Sequence, residues 1–549
     1  MMTLTCKYNK YIDDYMNKIR SGKILASKEL KQAMDLVERK LNDPDVVIKH
    51  EMIDKAIELT ERYFDMKLLD WELFLFALIH CYYKSTDMVV FDEFLIVMGR
   101  GNGKNGFISP VAWYLSTHYH GIKGYNIDII ANSEDQAMTS FNDIFEVLEN
   151  TWKKSKKFFT KTKQQITNKK TKSYIKFNTS NAKTKDGKRS ACLIFDEIHE
   201  YENYDTIKVF TSGFGKRKHS RVFYITTNGY VRGGVLDEQL KIAHDVLDGK
   251  IQDLGLLPLI YKIDTKEEVD NPDNWVKACP SLPYFLNLKK EMDKEFIKMK
   301  YQNHVALDFM TKRMNLPAQD AFTAAVPWEK ILKTNREIPY KQLKGMQCIG
   351  AIDYAMVTDF ASCGLLFKYN GLRYWIEHTF VCHKALEITS RPIKFPVTEM
   401  EQKGLITIVN GDSITPEIIS NWFLEQQKKY NIGNIFADSY RIQLLKAKFD
   451  EVGLPLQEVR SGPITHAKVA PLIESIFAEE QIVFGDNPTM RWYINNTYQE
   501  LDKKGNITYK KIEPKTRKTD GFFALIHALS KDEELKEQTG FISLDIHTY

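Results

Sequence analysis

The chain has 549 residues, of which 43% are hydrophobic and 27% charged, and its formal net charge at pH 7 is +5. This composition is that of a globular protein, and the length exceeds what one hydrophobic core usually serves, so we expect two or three domains. No apolar run is long enough to span a membrane, no signal-peptide core follows the N-terminus, and the seven cysteines form no CxxC pair, which together predict a cytoplasmic protein without a zinc framework.

The first 62 residues are predicted to form a charged helical cap. Apolar residues recur at helical spacing in three segments, Tyr11 to Arg20, Glu29 to Leu41 and Ile53 to Phe64. A strongly apolar helix is then predicted from Leu68 to Ile79. It includes Trp71, which can either cover a nucleotide base or lie in the core.

A glycine-rich turn from Met98 to Gly106 follows a predicted strand that ends at Met98 and precedes a predicted helix from Phe107 to Leu115. This layout is typical of a phosphate-binding loop, in which glycines expose backbone amides and a lysine, here Lys104, supplies positive charge. The spacing departs from the usual pattern, because Gly99 lies one position too close and Asn105 replaces the hydroxyl residue. An ordinary strand-to-helix turn therefore stays open on the motif alone.

Two later strands decide between these interpretations. A strand from Tyr125 to Ala131 is followed by a helix capped by Ser133, and this alternation predicts an α/β fold with a parallel sheet. The apolar strand from Ala191 to Phe195 ends in Asp196 and Glu197, which in an ATPase would hold Mg²⁺ and activate the attacking water, respectively. The strand from Arg221 to Ile225 ends in residues suited to sensing the γ-phosphate, namely Thr226, Thr227 and Asn228.

Basic residues supply further candidates around this region. Between Thr151 and Ser190 there are fourteen Lys or Arg and a single acid, with aromatic residues interleaved, a composition that favours a polyanion such as a nucleic-acid backbone. A solvated lysine-rich hairpin is the structural alternative. The predicted DNA-binding residues are Lys153, Lys154, Lys156, Lys157, Lys169, Lys170 and Lys172.

Candidates for a transition-state cation are Lys216, Arg217 and Arg221. His199 is discounted as a metal ligand because Asn at position 203 leaves HExxH incomplete.

The middle of the chain is predicted to leave the ATPase core. Residues 257 to 280 are rich in Pro and Asp, a long amphipathic helix is predicted from Leu288 to Met314, and mixed polarity between 318 and 340 predicts a domain boundary near 325 to 345.

The C-terminal region is predicted to form a second α/β unit. A strand ending at Asp353 is followed by two strands joined by the turn Asn370-Gly371, and a later strand ends at Asp438. Asp520 opens a helix. Acids on three separate elements in this order favour a ribonuclease-H-like nuclease that holds two Mg²⁺ or Mn²⁺ ions, although each acid singly can be a helix cap or strand end. Asp359 and Asp412, both in predicted turns, are weaker candidates.

These motifs together resemble the large subunit of tailed-phage terminases over nearly the whole chain. The loop from Arg100 to Lys104 is similar to the Arg-led phosphate loop of that family. The segments from Lys185 to Gly187 and from Cys192 to Tyr201 resemble its Walker B region, and Ile225 to Gly229 its coupling motif. Asp353, Asp438 and Asp520 fall where its nuclease acids fall.

The resemblance implies an α/β protein in which a P-loop ATPase domain of the ASCE type, residues 63–325, follows the helical cap and precedes a linker, 326–345. A ribonuclease-H-like nuclease domain, 346–534, and a tail, 535–549, complete the chain. It implies ATP and Mg²⁺ as cofactors, with Mn²⁺ also suiting the nuclease. The ATP-binding residues are Arg100, Gly101, Asn102, Gly103, Lys104, Asn105 and Asp196; the catalytic residues are Glu197, Asp353, Asp438 and Asp520; the metal-binding residues are Asp196 and the three nuclease acids.

The implied partners are double-stranded DNA, the portal protein of a procapsid, a small terminase subunit and further copies of this chain in a ring, with no membrane. The implied location is the host cytoplasm, with transient procapsid binding and absence from the mature virion. Two alternatives stay open: a helicase-type translocase fused to a repair or transposition nuclease, and a DNA-binding scaffold with an inactive site. Asn105 favours the latter, and Glu72 stands where many relatives carry an adenine-reading glutamine.

Overall fold

The computed structural model describes residues 6–179, 190–201, 203–252, 254–317, 324–388, 393, 395–501, 506–512 and 516–538. The segment from Lys185 to Gly187 lies outside the described residues. The chain divides into two compact units, Met1–Ala321 and Phe322–Tyr549, and each has its own hydrophobic core. Within the described ranges, no helix combines the length and the apolar character needed to cross a membrane.

The first unit is built on an eight-stranded sheet. Its strands and those of a separate small sheet are β1 Val46–Ile48, β2 Cys81–Tyr83, β3 Glu93–Val97, β4 Ile127–Ala131, β5 Phe159–Lys161, β6 Gln165–Asn168, β7 Tyr174–Thr179, β8 Cys192–Asp196, β9 Arg221–Thr226 and β10 Leu256–Ile260. Its α-helices are Lys10–Arg20, Lys28–Leu41, His50–Phe64, Asp70–Ile79, Lys104–Ser116, Glu134–Asn150, Trp152–Ser155, Asp205–Thr211, Val235–Leu247, Leu286–Met299 and Asn303–Asp308, and a single π-helical turn is Phe309–Arg313.

The large sheet has the order β10-β3-β9-β8-β4-β7-β6-β5, and it is parallel from β10 to β7. Its central strands are mostly apolar and are buried on both faces, as parallel strands covered by helices require. The carboxyl ends of β3, β8 and β9 therefore meet at one edge of the sheet. This edge carries the glycine loop, the acidic pair and the Thr226 segment.

The N-terminal helices form as their periodicity predicts. Asn9 accepts a hydrogen bond from the backbone of Tyr11, and Ser27 accepts one from Leu30, so side chains cap the first two helices. Ser133 and Gln136 form a reciprocal capping box at the start of Glu134–Asn150, which confirms the predicted helix start.

Two predictions for the middle of the chain are wrong. Residues 257 to 260 do not leave the core, because β10 pairs in parallel with β3 inside the large sheet. The helix predicted from Leu288 to Met314 breaks between Met299 and Asn303. The break lets the chain turn back, so that Phe296 and Phe309 each lie 5.2 Å from the Trp275 ring in a small separate core. A straight helix would carry the second phenylalanine away from that core.

The second unit contains a seven-stranded sheet and a two-stranded hairpin. Its strands are β11 Gln347–Asp353, β12 Ala361–Tyr369, β13 Leu372–Cys382, β14 Ile406–Val409, β15 Asn431–Asp438, β16 Leu456–Val459, β17 Ile482–Val483, β18 Thr497–Leu501 and β19 Ile507–Lys511. Its α-helices are Trp328–Leu332, Tyr340–Leu343, His383–Leu386, Val397–Gln402, Pro416–Gln427, Ile442–Glu451, Pro463–Ala478, Pro488–Asn495 and Asp520–Leu529.

The order of the second sheet is β14-β13-β12-β11-β15-β16, with β17 also paired to β13. Strands β11, β12 and β13 are antiparallel neighbours, whereas β15 and β16 run parallel to β11. Asn370 and Gly371 have φ of 50° and 75°, the left-handed conformations that a tight hairpin turn needs, which confirms that predicted turn. The parallel pairing places the ends of β11 and β15 side by side.

Candidate functional site

The first candidate site begins at the glycine loop, which connects β3 to the helix Lys104–Ser116. Gly101 and Gly103 have φ of 87° and 84°, conformations that other residues rarely adopt. The buried Asn102 side chain donates to Gly99 O at 2.8 Å and accepts from the Ser281 backbone at 3.0 Å, which fixes the loop. Lys104 is buried and donates to Met98 O at 3.3 Å. The loop therefore presents backbone amides and an ammonium group at a helix N-terminus, where an anion is favoured.

The acidic pair lies beside this loop. Asn105 Nδ2 donates to Asp196 Oδ2 at 2.8 Å, so the residue that replaces the usual hydroxyl contacts the predicted metal ligand directly. Burial, and then repulsion by Glu197, raise the pKa of Asp196 to about 7. Burial also disfavours ionisation of Glu197, but Lys104 and His199 outweigh it, and the pKa of Glu197 is lowered. The second oxygen of Asp196 is buried without a hydrogen-bond partner. A divalent cation suits this donor set, because it would satisfy that oxygen and relieve the repulsion.

The end of β9 contacts the acidic pair. The backbone N–H of Thr227 donates to Glu197 Oε2 at 3.4 Å, and Glu197 N–H donates to Ile225 O at 2.8 Å. The hydroxyl oxygen of Thr226 lies 2.9 Å from His199 Nδ1, and Asn228 forms two hydrogen bonds with Asn315. The three residues predicted for coupling thus contact Glu197 on one side and His199 and Asn315 on the other.

Two of the three candidates for a transition-state cation, Arg217 and Arg221, lie away from the glycine loop of this chain. Arg221 begins β9, at the sheet edge opposite the loop, and its guanidinium is buried among Tyr125, His219 O and Ile79 O. The guanidinium of Arg217 packs against Gly124, just before β4 begins, at that same opposite edge. Because strand starts and strand ends lie about 15 to 20 Å apart, neither arginine reaches the loop of its own chain. Proximity in sequence to Thr226 was therefore misleading.

The second candidate site lies at the paired ends of β11 and β15, where Ile352 is opposite Ala437. Asp353 and Asp438 end these neighbouring strands, and the helix that Asp520 opens packs on the same sheet. Burial, and then the charge of Asp520, raise the pKa of Asp353 to about 8. Burial likewise raises the pKa of Asp520, and one of its oxygens is buried without a hydrogen-bond partner. The three acids thus share one electrostatic environment, and an unsatisfied carboxylate oxygen fits a cation.

Basic residues surround this cluster. Lys511, at the end of β19, lies 4.0 Å from Asp359, and although burial opposes its charge, Asp520, Asp359 and Asp353 raise its pKa. Within the part of the chain that the structure describes, no three His, Cys, Asp or Glu side chains are arranged as a ready metal cage. Like-charged carboxyl groups repel one another when no cation lies between them. To bind one ion together, these side chains would have to move closer to each other. Asp412 takes no part, since its exposed carboxylate pairs with Lys384 at 2.5 Å.

The predicted DNA-binding lysines form one exposed surface. The segment 153–157 and the turn 169–172 adjoin, because Lys169 donates to Phe158 O at 2.7 Å through its backbone and to Lys156 O at 2.7 Å through its side chain. Strands β5, β6 and β7 form antiparallel pairs here, so a lysine-rich hairpin does exist. The seven residues of this lysine patch are all exposed: Lys153, Lys154, Lys156, Lys157, Lys169, Lys170 and Lys172.

Comparison with known families identifies both units. The family model described as the ATPase domain of the terminase large subunit matches residues 70–245, and the one described as its endonuclease domain matches residues 250–535. The chain belongs to the terminase large subunit family. It has ATPase and endonuclease domains, and its fold is a P-loop ATPase followed by a ribonuclease-H-like nuclease, as the motifs predicted.

Individual terminases are distant from this chain. The terminase large subunit of Lactococcus phage p2 is 24% identical over 467 residues, covering 81% of this chain and 83% of that protein. The terminase large subunit of Enterobacteria phage HK97 is 20% identical over 471 residues, covering 83% and 89%. The crystal structure of the HK97 bacteriophage large terminase aligns with a TM-score of 0.46 at 18% identity, covering 88% of this chain and 100% of that one.

Four further residues contact the predicted ATP-site residues, and no local sequence pattern indicates them. In the sequence His199 belongs only to an incomplete HExxH motif, yet in the structure its Nδ1 lies 3.0 Å from Glu197 Oε2. Ser281 holds Asn102, Asn315 holds Asn228, and Lys312 contacts His199. The contact between His199 and Glu197 is local, but each of the other three joins residues at least 87 positions apart, so no local pattern reports them.

Proposed function

We propose that this terminase drives double-stranded DNA into a procapsid by ATP hydrolysis and cuts concatemeric DNA with its nuclease unit. The observation that supports the motor most directly is the contact between the glycine loop and the acidic strand end, made by Asn105 and Asp196 at 2.8 Å. It joins a phosphate-binding element to a carboxylate pair in one site. The inactive-scaffold alternative draws its support from Asn105, and we propose instead that this residue is a working part of the site.

Each residue of the ATP site has a proposed task. Lys104, the loop amides and the exposed Arg100 bind the phosphates. Asp196 and Asn105 would hold Mg²⁺, which supplies charge neutralisation on the phosphate oxygens. Glu197 is ionised, since its pKa is lowered, and it accepts the proton of the attacking water. Thr226, Thr227 and Asn228 transmit the phosphate state from the acidic pair to neighbouring segments.

The nuclease unit has a parallel assignment. Asp353, Asp438 and Asp520 would hold Mg²⁺ or Mn²⁺, which supplies an activated water and stabilisation of the leaving oxygen. Lys511 is placed to contact the DNA phosphate or to neutralise the carboxylates before DNA binds. The proposed partners are the portal protein, a small terminase subunit and further copies of this chain in a ring. The proposed location is the host cytoplasm, with transient procapsid binding and absence from the mature virion.

A packaging assay tests this function as a whole. Purified chain, procapsids carrying the cognate portal and pre-cut linear DNA should yield DNase-protected DNA with ATP and none with a non-hydrolysable analogue. Asp438→Ala should still protect pre-cut DNA but should no longer cut a plasmid in Mn²⁺. Protection without hydrolysable ATP would contradict the motor, and persistent cutting by the variant would place the nuclease elsewhere.

The lysine patch is proposed to grip the DNA backbone, and we expect its removal to reduce the salt dependence of DNA affinity. Each phosphate contact contributes about 0.9 to the slope of log affinity against log salt. Replacing Lys153, Lys154, Lys156 and Lys157 with Ala should therefore make the slope shallower by up to about 3.6. Fluorescence anisotropy of a labelled duplex at several salt concentrations measures this slope.

The matched control removes four other exposed lysines of the same unit, on or just after the helix Leu286–Met299: Lys290, Lys294, Lys298 and Lys300. The net charge changes equally in both variants. An equal change of slope in both would show a general charge effect and would argue against a specific patch.

A further inference from the structure

A short segment, Phe309 to Asn315, touches three parts of the ATP site within the first unit. We call residues 309–315 the strap. The strap starts as a single π-helical turn, a rare conformation that is common at functional positions. Its residues contact the glycine loop, the acidic pair by way of His199, and the coupling residue Asn228.

The strap holds the glycine loop through backbone groups. Arg100 N–H donates to Lys312 O at 2.7 Å, and the Arg313 guanidinium donates to Arg100 O at 2.6 Å. The same guanidinium forms a double ion pair with Glu295 at 2.9 Å. A Cβ atom on Gly99 would lie 2.3 Å from Arg313 O, so the approach of strap and loop requires glycine at this position. Hydrogen bonds and close packing therefore join the loop to the strap.

The side chain of Lys312 turns toward the acidic pair. Its Nζ lies 2.7 Å from His199 Nε2, and His199 Nδ1 lies 3.0 Å from Glu197 Oε2. An ammonium group has donors only, so Nε2 must accept. The imidazole then carries its proton on Nδ1, the nitrogen that faces both Thr226 Oγ1 and Glu197 Oε2. Lys312, His199 and Glu197 thus form a chain of close polar contacts with one direction.

The surroundings of His199 enforce this direction. Thr226 Oγ1 lies 2.9 Å from Nδ1, and its own proton goes to Thr227 O at 2.7 Å, so it can only accept from the ring. A Cβ atom on Gly229 would lie 2.4 Å from the ring, so glycine at this position makes room for it. His199 and Lys312 are 6% and 8% exposed, so bulk water does not compete for these bonds.

We propose that Lys312 is a positioning residue for ATP hydrolysis, which acts through His199 to fix the Glu197 carboxylate and ties that carboxylate to the glycine loop. The backbone of Lys312 follows the loop at Arg100, and its side chain sets the imidazole. A movement of the loop when phosphate binds or leaves is therefore passed to Glu197. Asn315 extends the connection to Asn228, to which it is hydrogen-bonded at 2.9 and 3.1 Å. The inference rests on the proposed role of Glu197.

The test separates positioning from binding. Lys312→Met keeps the carbonyl that holds Arg100 and removes only the side-chain contact, so kcat for ATP hydrolysis should fall at least about tenfold, part of the hundredfold or more that a general base contributes. The KM and the binding of ATP, measured by calorimetry, should change less than about twofold. Lys312→Arg, which still donates to Nε2, should recover part of kcat. Lys18→Met is the control, because it removes a half-buried lysine that pairs with Asp14 and Asp70 far from Glu197 in the chain.

A second variant guards against misfolding of the first. His199→Asn keeps an amide near the Nδ1 position but cannot reach Lys312, and it should lower kcat to a similar degree. Because the two residues act as one chain, the double variant should be no slower than the slower single variant. Normal kcat in Lys312→Met, an effect on KM alone, or additive losses would overturn the inference. If Glu197→Gln also turns over normally, the proposed function itself fails; if only Lys312→Met does, the inference fails alone.

Discussion

Replacing Glu197 with Gln is expected to reduce ATP turnover at least about a hundredfold while ATP binding is retained. The amide has the same shape and can still accept from Thr227 N–H, but it cannot take up a proton from water. The loop amides and Lys104, which bind the phosphates, are unchanged. Steady-state phosphate release gives the turnover, and calorimetry with ATP gives the affinity.

Glu93→Gln is the matched control for this variant. Glu93 begins β3 at the opposite edge of the same sheet, and burial raises the pKa of its carboxyl group to about 7. The substitution therefore also replaces a carboxyl group that is partly buried in this sheet. Its turnover should match that of the wild type. Unchanged turnover in Glu197→Gln would sink the assignment of the general base.

Asp353→Asn is expected to abolish cutting and to stabilise the second unit. Loss of a metal ligand should slow Mn²⁺-dependent plasmid cutting by on the order of a hundredfold or more, because a bound metal ion stabilises the transition state by several kcal/mol. The pKa of Asp353 is about 8 in the folded chain, against an ordinary value of 3.8. The unfolded chain therefore releases the proton first, and wild-type stability falls as pH rises from about 4 to about 8. The asparagine variant avoids this loss.

The measurement is the melting temperature of both proteins between pH 5 and pH 8, without metal. The variant should melt above the wild type, by a margin that grows with pH, and added Mg²⁺ should raise the melting temperature of the wild type only. Asp532→Asn is the opposite case, since Arg373 and Lys368 outweigh burial and lower the pKa of Asp532. It should destabilise the unit at neutral pH and still cut. If Asp353→Asn behaves like Asp532→Asn, Asp353 is a structural residue.

Local patterns were sufficient to predict most of the elements that carry the two sites. The strands that end at Asp196, Asp353 and Asp438 are largely apolar segments with an acidic residue at the end. Neighbouring parallel strands of one sheet bring such ends to the same edge of that sheet. The Asn370-Gly371 turn and the Ser133 cap follow from backbone and hydrogen-bonding preferences of single residues. These features depend on a few neighbouring positions, so the sequence alone reports them.

The failures share a physical cause, which is contact between distant parts of the chain. The predicted helix from Leu288 to Met314 has good periodicity, but packing around Trp275 breaks it. Arg221 is close to Thr226 in sequence and a strand length away in space. His199 and Lys312 are 113 positions apart, so their contact is visible only in the folded chain.

The placement of β10 has a consequence for how the two catalytic units can be separated. The endonuclease family model starts at residue 250, yet β10 and the strap, both beyond that point, belong to the first compact unit. An ATPase fragment that ends before residue 250 would lack β10. The backbone N–H and C=O groups along that side of β3 would then be unpaired and could template aggregation. The fragment would also lack Lys312 and Asn315. A motor fragment that keeps the strap therefore has to extend at least through Asn315. The border between the two family models thus differs from the border between the two compact units.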